Sequence, residues 1–263
     1  MMVTMDKGTL TELCAIARAA GAVIMRHYGK SIAVRRKDDR SPVTDADEDA
    51  EKLIIAALRK LMPSIPIVAE EQAAAGAVPP ASDTFFLVDP LDGTREFLDR
   101  NGEFTVNIAL IADRVPVAGV VFAPAKERMF AGARGLDAFE WRNGQPHAIT
   151  ARRPPPEGLT ALTSRSHRAP AEDAYLQGYK IRETIVAGSS LKFCLIAAGE
   201  ADIYPRHGDT MEWDTAAGDA VLRAAGGRVT LLDGKTPLNY GKRTEGYRNP
   251  HFVAWGAPAS QSA

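Results

Sequence analysis

The most constraining feature of the sequence is an apolar run that leads directly into two closely spaced carboxylates. The run, residues 84–88, is typical of a strand, and Asp89-Pro90-Leu91-Asp92-Gly93-Thr94 follows it. Proline fixes one φ angle, and glycine allows the next turn almost any backbone conformation. We therefore expect a rigid bend that points Asp89, the Leu91 carbonyl and Asp92 toward one place.

Oxygen donors that converge in this way suit Mg²⁺, which prefers near-octahedral oxygen coordination. The alternative is an ordinary surface turn, because Asp-Pro and Asp-Gly pairs are common in turns. A second apolar strand is predicted over residues 63–71, and it ends at Glu70 and Glu71. If the two strands are neighbours in one sheet, their terminal carboxylates can meet, which favours the metal site.

Composition limits the class of protein. The chain has 263 residues and a formal net charge of −1, so we expect no nucleic-acid partner, and any anionic ligand must be held at a local site. Its cysteines, Cys14 and Cys194, are expected to be buried free thiols in a reducing compartment. No signal peptide or membrane-spanning run is recognised, which predicts a cytoplasmic protein. Peripheral attachment to the inner face of the cell membrane, and the choice between monomer and homodimer, stay open.

Apolar periodicity predicts helices over residues 9–28 and 46–61. Thr44 or Asp45 can cap the second helix, and the acids in its first turns complement the helix dipole. The charged segment 35–40 is expected to be a solvated loop or ribbon. Alternating patterns predict strands at residues 105–111, 115–122, 128–133 and 138–141.

The clearest boundary is the connector Pro154-Pro155-Pro156, because three prolines cannot continue a helix or a central strand. It divides the chain into a predicted α+β domain, residues 1–153, and a predicted α/β domain, residues 154–263. In the second domain, strands are predicted at residues 159–164, 184–190, 201–206, 228–232 and 252–255, with helices at 191–198 and from the 211–220 motif to Gly226-Gly227. This alternation indicates a three-layer C-terminal half, and the fold class of the chain is α/β.

Three ordered motifs resemble the signatures of one family. They are Glu70-Glu71, the Asp89–Thr94 segment, and Trp213-Asp214-Thr215-Ala216-Ala217-Gly218. Together they resemble the inositol monophosphatase superfamily, lithium-sensitive and Mg²⁺-dependent phosphatases of sugars and nucleotides, over residues 9–256. The resemblance implies a layered αβαβα sandwich.

Within that superfamily, the sequence is most similar to the bacterial type of the 3′(2′),5′-bisphosphate nucleotidase branch. The stretches that carry this similarity are residues 41–47, 95–107, 164–167 and 188–194. The chain departs from the branch mainly in segment 165–183, which is short. The nucleotide-facing side of the pocket is therefore the part that the resemblance defines least.

The resemblance implies a role for each matching residue. Asp47 and Thr94 would activate the attacking water, with the capping acid of a helix as the alternative for Asp47. The implied Mg²⁺ ligands, for two or three ions, are Glu70, Asp89, the Leu91 carbonyl, Asp92 and Asp214. The implied substrate contacts are Glu70, Leu91, Asp92, Gly93, Thr94, His167, Ser189, Lys192, Arg206 and Asp214. An exposed lysine remains the alternative for Lys192, and an ordinary loop histidine the alternative for His167.

The chemistry of these residue types supports the implied activity. Four carboxylates placed close together repel one another unless cations neutralise them. The resemblance implies removal of the 3′-phosphate from adenosine 3′,5′-bisphosphate, and possible action on its sulfated form, in sulfur assimilation. The alternatives are an inositol monophosphatase or a fructose-1,6-bisphosphatase with the same metal ligands. A non-catalytic regulator is disfavoured, because every expected ligand and the Asp47/Thr94 pair are present.

Overall fold

The computed structural model describes residues 5–30, 35–36, 42–142, 144–166 and 169–258. Its α-helices are α1 (Lys7–His27), α2 (Asp45–Leu61), α3 (Glu70–Ala74), α4 (Thr94–Leu98), α5 (Pro170–Leu176), α6 (Leu191–Ala197) and α7 (Glu212–Ala224). Its strands in the first half are β1 (Arg35–Arg36), β2 (Pro42–Val43), β3 (Ile67–Ala69), β4 (Thr84–Asp92), β5 (Thr105–Ala112), β6 (Val115–Ala123), β7 (Arg128–Ala133), β8 (Ala138–Arg142) and β9 (Gln145–Ile149). Those in the second half are β10 (Leu159–Ser164), β11 (Ile181–Ala187), β12 (Ile203–Arg206), β13 (Arg228–Leu231) and β14 (Phe252–Trp255).

The larger sheet places the two acid-terminated strands side by side. Seven strands run in the order β3-β4-β5-β6-β7-β8-β9, and β3 pairs with β4 in parallel while the other pairs are antiparallel. Ala69 lies opposite Val88, so Glu70 and Asp89 leave their strands at the same level. The sequence hypothesis that these strand ends meet is confirmed.

The smaller sheet completes a five-layer stack. Its strands run in the order β11-β10-β12-β14-β13. Helices α6 and α7 lie between the two sheets, α1 and α2 cover the outer face of the larger sheet, and α5 contacts β12 on the outer face of the smaller one. The α/β fold class and the αβαβα order that the sequence predicted are confirmed. The domain division at residue 153 stays a prediction.

Glycines let α7 lie very close to the larger sheet. A Cβ atom on Gly119 of β6 would lie 2.4 Å from the Ala217 carbonyl oxygen and 2.8 Å from the Ala220 Cβ. A Cβ on Gly132 of β7 would lie 2.7 Å from the Ala224 Cβ. Because only glycine fits at these contacts, α7 packs directly on the sheet that carries Asp89, and its first turn holds Asp214.

The first helix bears on the expectation that no segment of the chain spans a membrane. By length and composition alone, α1 could cross a membrane, although no membrane-spanning run was recognised. Its apolar side is instead covered by protein: Leu13, Ala17 and Ile24 are all 0% exposed, in the core shared with α2 and the larger sheet. A helix with this buried stripe is a core element of the fold.

The other predicted elements are confirmed to within a few residues, with three differences. The strand predicted over residues 63–71 is limited to β3, and Glu70 begins α3 instead. Helix α5 and strand β9 were not predicted, since α5 falls in segment 165–183 and four of the five β9 residues are exposed. The charged segment 35–40 begins a two-stranded ribbon, in which Arg35 pairs with Val43, while residues 37–41 lie outside the described chain.

Candidate active site

Three of the carboxylates predicted to bind metal are each held by a backbone N–H group. Leu91 N donates to Asp89 Oδ1 at 3.0 Å near the end of β4, where the pairing with β5 shifts register between Asp89 and Asp92. Ser190 N donates to Asp92 Oδ2 at 2.5 Å. Met211 N donates to Asp214 Oδ2 at 2.8 Å, as part of the capping box that opens α7. These bonds hold one oxygen of each carboxylate in place.

The predicted metal ligands form one electrostatic cluster. Burial is the main cause that raises the pKa of Asp89 well above its ordinary value, followed by the charges of Glu70, Asp92 and Asp214 and a hydrogen bond with Glu70. Burial, then Asp92 and Glu70, raises the pKa of Asp214 in the same direction. Burial also raises the pKa of Asp92 to about 6, although Lys192 and the Ser190 N–H oppose it. Each group thus favours a proton or a cation beside it.

The donor set fits a hard divalent cation. Among the described residues, no three His, Cys, Asp or Glu side chains stand in a metal-binding group. Glu70, Asp89, Asp92 and Asp214 nevertheless supply only oxygen atoms, and Glu70 and Asp89 are close enough to share a hydrogen bond. Oxygen-only donors of this kind could hold Mg²⁺.

Asp47 caps α2 and also contacts Thr94. Its Oδ2 accepts hydrogen bonds from Thr44 N at 2.8 Å and Thr44 Oγ1 at 2.7 Å, which caps α2. Its Oδ1 lies 3.3 Å from Thr94 Oγ1, which also points at the Leu91 carbonyl oxygen at 3.4 Å. The capping acid therefore also contacts the threonine that was predicted to be its partner.

Gly93 is required by the backbone at the start of α4. Its φ of +90° lies in the left-handed region. A Cβ there would lie 3.2 Å from Glu96 Oε2 and 3.3 Å from the Glu103 carbonyl oxygen. The glycine thus lets β4 turn sharply into α4 and brings Thr94 beside Asp47.

Two buried cations face the carboxylates. Lys192 is 4% exposed, which rules out the exposed-lysine interpretation, and its Nζ donates to the carbonyl oxygens of Ser189 at 2.7 Å and Ala187 at 3.3 Å. Burial lowers its pKa to about 8, against the opposing charge of Asp92. Arg206 is 5% exposed, and its guanidinium lies 3.8 Å from Glu172.

These groups line one cavity of about 640 Å³. Glu70, Asp92 and Asp214 form an acidic part of its lining, and Lys192 and Arg206 form a cationic part. Gly93, Thr94 and Ser189 also line the cavity, and Ser189 has a positive φ of 47°. The structure therefore brings the predicted site residues together, except that Asp47, Asp89 and Leu91 lie behind the lining and His167 lies outside the described residues.

Sequence reasoning missed two residues that support this site. Glu51 accepts hydrogen bonds from Glu71 N at 2.7 Å and Gln72 N at 3.1 Å, and so fixes the start of α3 and with it Glu70. Ser190 holds Asp92, as described above. The one available signal for Glu51 was an acid directly beside the apolar stripe of α2; Ser190 gave no signal distinct from that of Ser189.

The family model for inositol monophosphatases matches residues 6–261. The chain belongs to the inositol monophosphatase family. The relatives of this family member include the 3′(2′),5′-bisphosphate nucleotidase CysQ of Salmonella typhimurium, 47% identical over 92% of this chain and 98% of that protein. The CysQ of Escherichia coli strain K12 is 46% identical over the same shares. The crystal structure of CysQ from Bacteroides thetaiotaomicron matches with a TM-score of 0.79 and 34% identity, covering 95% of this chain and 97% of that chain.

These similarities place the chain in the CysQ branch of the inositol monophosphatase family. Enzymes of this family are generally metal-dependent, which agrees with the oxygen donors described above. The branch that the motifs at residues 41–47, 95–107 and 188–194 resembled is therefore confirmed.

Proposed function

We propose that this protein is a Mg²⁺-dependent phosphatase that removes the 3′-phosphate from adenosine 3′,5′-bisphosphate, giving AMP and inorganic phosphate. Action on the sulfated form of that nucleotide, in sulfur assimilation, belongs to the same proposal. The observation that carries it is a nucleotidase relative 47% identical along nearly its whole length. The charge pattern of the cavity supports it independently.

A nucleotide with two phosphates matches a cavity with two kinds of charge. The reacting phosphate would lie at the carboxylate side, near Asp92, Thr94 and Asp214, where bound Mg²⁺ would neutralise it and activate a water. The second phosphate would lie near Lys192 and Arg206, since both positive charges line the same cavity and attract an anion.

The proposed proton path uses the contact between Thr94 and Asp47. The attacking water would give a proton to Thr94 Oγ1 while Thr94 passes its own hydroxyl proton to Asp47 Oδ1, 3.3 Å away. The water oxygen forms a bond to phosphorus as the bond from phosphorus to the 3′-oxygen breaks. The leaving 3′-oxygen takes up a proton from a solvent water, and Asp47 afterwards returns its proton to solvent. Thr44 holds the other oxygen of Asp47, so the accepting oxygen stays directed at Thr94.

Further contacts to the substrate would come from the start of α4 and from the turn that contains Ser189. Gly93 and Thr94 would bind phosphate oxygens through their backbone N–H groups, as free N–H groups at a helix start can do. Ser189, which lies beside Gly93 and accepts a hydrogen bond from Lys192 through its carbonyl oxygen, would contact the nucleotide. His167, which lies outside the described residues, remains a predicted contact on the basis of the resemblance alone.

Phosphate release tests the proposal directly. We would compare adenosine 3′,5′-bisphosphate, inositol 1-phosphate and fructose 1,6-bisphosphate at equal low concentration with Mg²⁺, and use Asp89→Asn as the control for contaminating phosphatase. We expect kcat/KM for the nucleotide to be at least about tenfold higher, which is roughly 1.4 kcal/mol of transition-state preference. If a sugar phosphate is the better substrate, the nucleotide assignment is wrong while the metal assignment stands.

Two further properties belong to the proposal and rest on the family resemblance. Millimolar lithium is expected to inhibit phosphate release. A cytoplasmic location is expected, and the buried free thiols Cys14 and Cys194 agree with a reducing compartment.

A further inference from the structure

A buried hydrogen-bond network connects the acidic part of the cavity lining to the turn that carries Lys192, and Ser190 lies at its centre. Ser190 is 1% exposed. Its backbone N–H donates to Asp92 Oδ2 at 2.5 Å, and its hydroxyl donates to Asn107 Oδ1 at 2.6 Å. Thr105 Oγ1 lies 2.9 Å from the same hydroxyl oxygen. Ser190 therefore binds β4 through Asp92 and β5 through Thr105 and Asn107.

The direction of these bonds can be assigned from the number of protons. A serine hydroxyl has one hydrogen, and Ser190 uses it on Asn107, so Thr105 must donate to Ser190. The amide Nδ2 of Asn107 then donates to Asp92 Oδ2 over a long contact of 3.5 Å. Both routes from Ser190 thus end at the same carboxylate oxygen. Because Ser190, Thr105 and Asn107 are buried, losing one member would leave the others without a partner.

Ser190 also lies in the turn 188–192, which carries the buried cation Lys192. Gly188 N donates to Glu103 Oε2 at 2.8 Å, and a Cβ on Gly188 would lie 2.8 Å from the Glu103 carbonyl oxygen. Lys192 Nζ donates to the Ser189 carbonyl oxygen at 2.7 Å. The turn 188–192 is therefore packed tightly onto the larger sheet, and Ser190 is the residue that joins it to Asp92.

We propose that Ser190 is a positioning residue that couples the acidic and the cationic residues of the cavity lining. It holds Asp92 for the cation, and it holds the 188–192 turn, which carries Lys192, for the anion. This inference rests on the proposed function for the identity of the two ligands. A residue shared in this way makes the two binding events interdependent, and the coupling is reciprocal, since each ligand must change the affinity of the other by the same factor. Cation binding that orders Asp92 would order the turn, and nucleotide binding to the turn would order Asp92.

Binding of Mn²⁺, followed by the spectroscopic signal of the free ion, tests the coupling without turnover. The titration is repeated with saturating AMP as the nucleotide probe. Ser190→Ala keeps the backbone N–H that donates to Asp92 but removes the hydroxyl that joins the turn to Asn107 and Thr105. Because that N–H would no longer be held in place, we expect Mn²⁺ affinity to fall by about tenfold, the usual effect of losing a group that supports a metal ligand. We also expect AMP to tighten Mn²⁺ binding in the wild type and to lose most of that effect in the variant.

A matched set of threonine variants separates positioning from general damage to the core. Thr105→Val removes the hydroxyl that donates to Ser190, while Thr105→Ser keeps it, so only the first should weaken Mn²⁺ binding and the AMP effect. Thr230→Val is the control, because the buried Thr230 hydroxyl has no hydrogen-bond partner among the described residues. If Ser190→Ala fails to fold, the Thr105 pair carries the same test.

Different failures have different meanings. Wild-type Mn²⁺ affinity in both Ser190→Ala and Thr105→Val would overturn the positioning role. Weaker Mn²⁺ binding with an unchanged AMP effect would overturn the coupling. If the wild type binds Mn²⁺ but not AMP or adenosine 3′,5′-bisphosphate, the proposed nucleotide function is wrong, and so is the coupling; the loss of Mn²⁺ affinity in the variants would still support the hold on Asp92.

Discussion

Thr94 Oγ1 lies 3.3 Å from Asp47 Oδ1, although the two residues are 47 positions apart in the chain. The contact joins the first turn of α2 to the first turn of α4, and so fixes the outer helix layer to the exit of β4. The second oxygen of Asp47 is bound by Thr44. One oxygen of Asp47 therefore caps α2, and the other faces Thr94. Variants can test these two contacts separately.

Asp47→Asn should lower kcat and leave most of the fold intact. Asparagine keeps an oxygen that can accept from Thr44, but it cannot take a proton from Thr94. General acid–base catalysis contributes about 10² to 10⁴ in rate, so we expect kcat to fall within that range while KM changes little. Steady-state kinetics measures the fall, and the thermal midpoint Tm reports any loss of capping, about 1 kcal/mol at most.

Thr44→Ala is the matched control for the cap. It removes the capping hydroxyl but keeps the Thr44 backbone N–H, which donates to Asp47 Oδ2 at 2.8 Å and holds Asp47 toward Thr94. Tm should therefore fall while kcat stays near the wild-type value. Should Thr44→Ala lower kcat as much as Asp47→Asn does, the cap alone would explain the effect, and the proton-accepting role of Asp47 would be wrong.

Asp89→Asn should abolish turnover and stabilise the metal-free protein. Burial and neighbouring acids raise the pKa of Asp89, so the folded state binds that proton more tightly than the unfolded state does. Stability without metal must then decrease as the pH rises above the ordinary value of 3.8 toward the raised folded-state pKa. An amide carries no charge to repel Glu70, Asp92 and Asp214, and the variant should have the higher Tm in EDTA at neutral pH.

Thermal unfolding in EDTA across pH, for the wild type and Asp89→Asn, measures this effect. Asp99 supplies the control, since its exposed carboxylate is not among the charges that raise the pKa of Asp89, and Asp99→Asn should leave the pH dependence unchanged. Near-normal turnover in Asp89→Asn would contradict the assignment of Asp89 as a metal ligand, whatever its effect on Tm.

The parts of the site that the sequence predicted are those encoded locally. The segment from Asp89 to Thr94 combines an apolar strand, a proline, two acids and a glycine with φ of +90°, and each of these has a nearly fixed consequence for the backbone. The pairing of β3 with β4 then followed from two short apolar runs that each lead into acids. The family motifs added Asp214, whose helix lies far along the chain.

Long-range contacts of single polar side chains could not be predicted in this way. Ser190 and Asp92 are 98 positions apart, and no periodicity reports that a serine N–H ends on a particular carboxylate. Glu51 shows the same limit: it caps α3 from α2, and this contact converts the predicted strand end at Glu70 into a helix start. Propensity describes residues one by one, whereas these contacts depend on where whole elements pack.

Gly119→Ala should destabilise the fold because the added methyl group has no room. Its Cβ would lie 2.4 Å from the Ala217 carbonyl oxygen, so α7 would have to move away from β6. Overpacking of this kind costs about 1–3 kcal/mol of unfolding free energy, which denaturant titration measures. Gly178→Ala is the control, since its nearest atom, the Tyr175 carbonyl oxygen, lies at an ordinary 3.6 Å. Equal stability of the two variants would contradict the close approach of α7.

Lys192→Met should weaken nucleotide binding and remove an alkaline pH dependence. Burial lowers the pKa of Lys192 to about 8, so its positive charge is present at pH 7 and is lost as the pH rises through that value. A hydrogen bond to a charged group contributes about 1.5–3 kcal/mol, so KM at pH 7 should rise by roughly 10- to 100-fold in the variant, with a smaller change in kcat. In the wild type, KM should rise between pH 7 and 9, and in the variant it should stay flat.

The control is Lys60→Met, at an exposed position of α2, which should keep the wild-type profile. An alkaline rise in KM that persists in Lys192→Met would assign the titration to another group and remove the evidence that Lys192 holds the second phosphate.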